Sequence, residues 1–154
     1  MPDRLYSVDS SALLHAWNRA YRPKNFPNFW KRMDELVASG RVSMSIEVYK
    51  EVQKRDDDVA KWCKERHDKL VVELDEPCQR EVGRIMAAHP RLVDTKKGRS
   101  AADPFAIALA NTGEKKTVLT QESVGPTKIT GVCDAEKIRW RFLADFIEDE
   151  NWSF

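Results

Sequence analysis

Four acidic side chains stand at points of this 154-residue chain where an apolar run gives way to a helix or a loop: Asp9, Glu51, Asp103 and Glu122. Asp9 ends "YSV" and precedes Ser10 and Ser11. Glu51 lies within the first two turns of the helix that follows "VSMS", Asp103 opens "ADPFAIALAN", and Glu122 stands two residues past "TVLT". Carboxylates alone, with no cysteine or histidine, are the ligand set of a hard divalent cation. Mg²⁺ takes carboxylate oxygens, keeps several waters and leaves room for a substrate phosphate. Two such ions roughly 4 Å apart activate a water and stabilise the leaving oxygen in phosphodiester cleavage. Each residue also has an ordinary reading. Asp9 or Ser10 can cap a helix, Asp103 before Pro104 suits an N-cap followed by N1, Glu51 can be a solvated helix residue, and Glu122 a loop residue.

The elements decide whether these residues meet. Leu5–Val8 reads as a short buried strand and Ser11–Ala20 as a helix with Leu13, Leu14 and Trp17 on one face. After the two prolines of "RPKNFPNF", a helix is expected over Asn28–Ser39, with Gly40 as a left-handed C-terminal cap. Arg41–Ser45 is a second strand, with helices in "IEVYKEVQKR" and "DDDVAKWCKERH", and another over Pro77–Ala88. "HPRLVDTKKGRS" is an exposed basic loop. Ala102–Asn111 is a small-residue helix, Thr117–Thr120 a strand, "QESVGPTKITG" a loop, Lys137–Phe142 the last strand and Leu143–Glu150 the last helix. Strands alternating with helices predict a parallel sheet covered on both faces. Ligands of such sheets bind beyond the carboxyl ends of the strands, where all four acids are expected.

Composition narrows the class. A chain of this length suits one domain, 1–154. Its net charge of +1 means that any attraction for nucleic acid has to come from a local patch. Cys63, Cys78 and Cys133 are odd in number and widely spaced, which fits neither a disulfide framework nor a zinc site. His15, His67 and His89 show no metal spacing. No run approaches 18 apolar residues and no secretory leader is legible, so a soluble cytoplasmic protein with no membrane span is expected.

In order and spacing, "VDSSALL", "VSMSIEVYKEV", "AADPFAIALA" and "TVLTQES", with the closing "CDAEKIRWRFLADFIEDENWSF", resemble the PIN-domain ribonucleases, the fold of VapC-type toxins. They are most similar to a PIN-like subfamily with an "FPNFW" insertion after the first helix. The resemblance implies a three-layer α/β/α PIN-like domain with a central, mostly parallel sheet of roughly 4–5 strands. It implies a metal-dependent endoribonuclease using Mg²⁺ or Mn²⁺, the toxin of a toxin–antitoxin pair, acting on RNA as a homodimer held by a cognate antitoxin. The metal-binding acids carry over to Asp9, Glu51, Asp103 and Glu122, and the supporting hydroxyls to Ser11 and Thr120. The family's usual T-x-D after the last motif strand is here Thr120-Gln121-Glu122. That departure keeps a second reading open, a PIN-like scaffold that binds RNA or a protein without cleavage. Glu47 competes with Glu51 for the second acid. Lys96, Lys97 and Arg99 can clamp an RNA phosphate backbone or form a solvated loop, and Trp30 and Trp152 are candidates for base stacking. A haloacid-dehalogenase phosphatase would need an aspartate where Ser11 stands.

Overall fold

The computed structural model describes residues 3–93 and 101–154. Its five strands are β1 (Tyr6–Val8), β2 (Val42–Ser45), β3 (Val71–Val72), β4 (Thr117–Leu119) and β5 (Trp140–Arg141). They form one sheet in the order β3-β2-β1-β4-β5, and every pairing is parallel. The helices among the described residues are α1 (Ser10–His15), α2 (Pro27–Ala38), α3 (Ile46–Gln53), α4 (Asp58–Glu65), α5 (His67–Leu70), α6 (Glu76–Ala88), α7 (Asp103–Asn111), α8 (Ile129–Ala135) and α9 (Leu143–Asp149). This is the expected α/β architecture with a parallel central sheet.

β1 is buried on both faces, and its side chains alternate between two layers. Tyr6 points toward α9, where its ring meets Phe146 edge to face at 4.8 Å and its hydroxyl donates to Glu150 at 2.5 Å. Ser7 points the other way and donates to the Ala106 carbonyl of α7 at 2.7 Å, which satisfies a fully buried hydroxyl. Ala106, Ala108 and Ala110 keep α7 slim enough to lie close to the strands. Alternation then puts Asp9 on the α7 side. The pairing Val8↔Leu119, continued one residue, sets Asp9 beside Thr120. Strand order reverses between β1 and β4, because the chain builds outward from β1 to β3 and then returns to the other side. A topological switch point at the carboxyl ends of β1 and β4 is where such sheets open a crevice.

Several expectations need correction. The first helix does not run regularly to Ala20: after His15 the chain widens into a π-helical turn, Ala16–Ala20, with the Tyr21 amide donating to Ala16 O at 2.7 Å. The last strand is confined to Trp140–Arg141, because Lys137 takes a positive φ of 59° that ends α8 rather than extending a strand. β3 and α5 were not foreseen; a two-residue edge strand carries too little pattern. The expected loop over 121–131 gives way to α8 at Ile129. Thr130 and Gly131 mask that helix in the sequence, yet both serve the loop before it. Thr130 Oγ1 accepts from the Gly125 amide at 3.3 Å, and a Cβ at Gly131 would overlap the Gly125 carbonyl and Pro126 Cα. Gly40 does close α2 at φ 78°, with Arg41 N donating to Leu36 O at 2.9 Å.

Candidate metal centre

Asp9, Asp103 and Glu122 each bring a carboxylate oxygen within 4.8 Å of the other two. Each arrives by a different route. Asp9 leaves the end of β1 and is 1% exposed. It sits at the N-cap position of α1 but makes no capping bond. Its Oδ2 instead accepts from Ser11 Oγ at 2.6 Å and Thr120 Oγ1 at 3.0 Å. Asp103 is the first residue of α7 rather than its cap, since Ala102 supplies the carbonyl that accepts the first helical amides. Glu122 extends from the loop after β4, where its amide donates to Thr120 Oγ1 at 3.2 Å. The extra methylene of glutamate lets a loop residue reach the carboxylates at the strand ends.

Glu51, on α3, lies outside that closest trio, but its charge acts on Asp9, Asp103 and Glu122. Glu47 pairs with Lys50 at 3.4 Å and is not one of the trio. Ser11 also takes the Gln121 amide on its Oγ at 3.0 Å, so one hydroxyl ties β1's end to β4's end. Gln121 Oε1 in turn accepts the Leu143 amide at 3.1 Å and fixes the start of α9. Lys96, Lys97 and Arg99 lie outside the described residues.

Burial and mutual repulsion raise the proton affinity of all three carboxyls. For Asp9, desolvation outweighs the donated hydroxyl hydrogen bonds. For Asp103, desolvation acts first, followed by the charges of Asp9, Glu122 and Glu51, and together they push its carboxyl up to about 9. Glu122 is raised by desolvation and by Asp9, while Lys128 opposes the shift. The contact between Asp103 and Glu122 raises the first further and opposes the rise of the second, which makes Asp103 the carboxyl that keeps its proton at neutral pH. Asp103 Oδ1 is buried and has no hydrogen-bond partner among the described residues. An orphaned carboxylate oxygen, facing two more acids, has the donor set and the electrostatic need of a hard cation. The residues fit such an ion.

Lys128 and Gln121 were missed at the sequence level. The signal for Gln121 was its place directly after a strand whose preceding residue, Thr120, had already been singled out. Lys128 gave no signal, because its proximity to Glu122 depends on the loop folding back over Gly131. Trp30 is part of the core, and Trp152 is partly buried against it. Trp30 is 6% exposed and donates to Tyr21 O at 2.6 Å, and Trp152 packs against Phe29 and Phe146. All three cysteines are free and buried, and burial pushes the Cys63 and Cys133 thiols up to about 12, beyond nucleophilic use. Among the described residues, no helix is long and apolar enough to cross a membrane.

The model of a family described as a domain of unknown function, DUF4411, matches residues 6–154. No curated protein matches the chain. A chain in the crystal structure of VapBC2 from Rickettsia felis, bound to a DNA fragment from their promoter, is similar to this one with a TM-score of 0.53 and 13% sequence identity. The match covers 90% of this chain and 98% of that one. At that identity the likeness is one of fold. The chain therefore belongs to the DUF4411 family, and its fold is PIN-like.

Proposed function

We propose that this protein is a nuclease that hydrolyses RNA phosphodiester bonds with the help of Mg²⁺ or Mn²⁺, and that it is the toxin of a toxin–antitoxin pair. The observation that carries the reading is the trio of buried Asp9, buried Asp103 and half-buried Glu122 at the switch point, with Asp103 Oδ1 lacking any partner among the described residues. The fold likeness to VapBC2, an assembly named together with its promoter DNA, supports the antitoxin partner. The homodimer belongs to the same proposal.

When bound, a divalent cation supplies the positive charge that offsets carboxylate repulsion and stabilises charge developing on a transferring phosphoryl group. The chain's own residues do the rest. Asp9, Asp103 and Glu122 are the direct ligands, and Glu51 adds charge at the margin. Ser11 and Thr120 hold Asp9 Oδ2 in one orientation and would fix the carboxylate that holds the ion. A cation held here would compete with the proton on Asp103, so its affinity would fall as pH falls. The glutamate of Thr120-Gln121-Glu122 reaches the trio, which favours an intact site over a degenerate scaffold.

The test uses purified protein, free of any antitoxin, incubated with total RNA. Cutting is expected in Mg²⁺ or Mn²⁺, to stop with EDTA and to be lost in Asp9→Asn and Asp103→Asn, with growth arrest on expression. Harmless expression and uncut RNA, with Asp9→Asn still binding RNA like the parent, would instead assign the scaffold.

A further inference from the structure

Basic side chains gather at the amino-terminal ends of β4 and β5, the ends opposite the carboxylates. A cavity of about 320 Å³ opens there, between the C-terminus of α7 and the approaches to β4 and β5. Lys115, Lys116, Lys137 and Arg139 line it over Ala110 and Ile138, and among the described residues no acidic side chain does. Two of the lysines have a structural duty. Lys115 Nζ donates to Asn111 O at 2.8 Å and Oδ1 at 2.9 Å, and Lys116 Nζ to Glu114 O at 3.0 Å, near carbonyls that α7 leaves open. That accounts for their placement and fixes their charge at the cavity wall. Burial lowers the proton affinity of Lys116, a penalty that a neighbouring anion would offset.

Lys137 has no such duty. It holds the left-handed position after α8, with its amide donating to Asp134 O at 3.2 Å and the Ile138 amide to Cys133 O at 2.8 Å. Glycine usually closes this motif, because a Cβ strains the backbone there. A lysine in its place sacrifices local stability, and its ammonium has no ion-pair partner among the described residues. Arg139 meets Asp149 at 3.2 Å, but that carboxylate is shared with Arg4 at 2.7 Å and Arg141 at 3.0 Å. Three guanidiniums on one carboxylate leave the rim in positive excess.

We propose that this cavity is a binding site for a phosphate group, separate from the carboxylate trio, with Lys137 as its dedicated ligand. Several cationic donors converging on one small space suit a compact, multiply charged oxyanion. No aromatic side chain lines the cavity, so recognition is of the phosphate and not of a base. The source is either a free phosphate or the terminal phosphate of a nucleic-acid strand.

The test is a titration of the full chain with inorganic phosphate, in buffer stripped of divalent cations so that the trio cannot contribute. Parent and Lys137→Arg should bind, and Lys137→Gly should lose affinity about tenfold or more. The glycine variant also relieves the backbone, so its melting temperature should rise by a few degrees while binding falls, which separates lost binding from lost folding. A short ribo-oligonucleotide with and without a 5′-phosphate distinguishes the sources. Lys137-dependent preference for the phosphorylated strand assigns a strand terminus, and its absence alongside phosphate binding assigns a free anion. Unchanged phosphate affinity in Lys137→Gly overturns the proposal. So does a parent that binds neither probe, including the case in which it takes an acidic peptide instead.

Discussion

Replacing Asp103 with asparagine should stabilise the metal-free protein, and the gain should depend on pH in a defined direction. In the folded state the Asp103 carboxyl is pushed up from 3.8 to about 9. A raised carboxyl favours the folded state fully only below the unfolded value, and that contribution is lost as pH rises toward the folded value. At pH 7 the folded chain holds a proton that the unfolded chain has released across about 3 pH units. At about 1.4 kcal/mol per unit, the buried acid costs on the order of 4 kcal/mol. Asparagine remains neutral in both states, and its amide can donate to Glu122 as the protonated carboxyl does. For a domain of this size, about 4 kcal/mol corresponds to roughly 8–16 °C in melting temperature. Thermal unfolding of parent and Asp103→Asn in metal-free buffer should coincide near pH 4 and diverge steadily above it, with the variant the more stable. A variant that melts at or below the parent at pH 7 would refute the argument that the trio is strained without a cation.

Added Mg²⁺ or Mn²⁺ should narrow that gap: at about 100 times the dissociation constant the parent gains about 2.7 kcal/mol, whereas Asp9→Asn and Asp103→Asn gain little. An equal thermal shift in all three would remove these residues from the ligand set. Because a cation must compete with the proton on Asp103, calorimetric affinity for Mn²⁺ should rise about tenfold per pH unit between about pH 5 and 8, and a flat profile would contradict the raised carboxyl. Ser11→Ala removes a donor from Asp9 Oδ2 and the acceptor of the Gln121 amide, so Mn²⁺ affinity should fall about 10–100-fold with the fold retained; unchanged affinity would show that the hydroxyl does not orient the ligand. Gly131→Ala drives a methyl into the Gly125 carbonyl and Pro126, so the loop carrying Glu122 must shift, at a cost of about 1–3 kcal/mol together with weakened metal binding; a melting temperature and affinity equal to the parent's would deny the close approach.

The parts of the fold legible in the sequence were those with dense local signals. β1, β2 and β4 read as short apolar runs because both of their faces are buried, and α7 read as a helix from its run of small residues. β3 and α8 escaped because the first is two residues long and the second starts on Ile-Thr-Gly, a poor helical opening whose purpose is tertiary. Asp9 and Glu122 were singled out by asking which acids follow strands and Asp103 by its place at the start of the helix that leads into β4; the alternation along β1, with Tyr6 on the α9 side and Ser7 on the α7 side, sets Asp9 on the side of Asp103. The capping alternatives for Asp9 and Asp103 were reasonable in sequence and fail in space, since neither side chain makes a capping bond. The orphaned oxygen of Asp103, the contribution of Lys128 and the strained Lys137 have no sequence signature, because each depends on packing between distant segments.

The central claim is that Asp9, Asp103 and Glu122 hold a divalent cation. Crystals of the protein soaked in Mn²⁺ and measured for anomalous scattering test it directly. The expected result is a peak within about 2.0–2.3 Å of Asp103 Oδ1, in contact with Asp9 and Glu122 and absent from crystals of Asp103→Asn. Saturating Mn²⁺ with no peak at the trio, or a peak that persists unchanged in the variant, would contradict it.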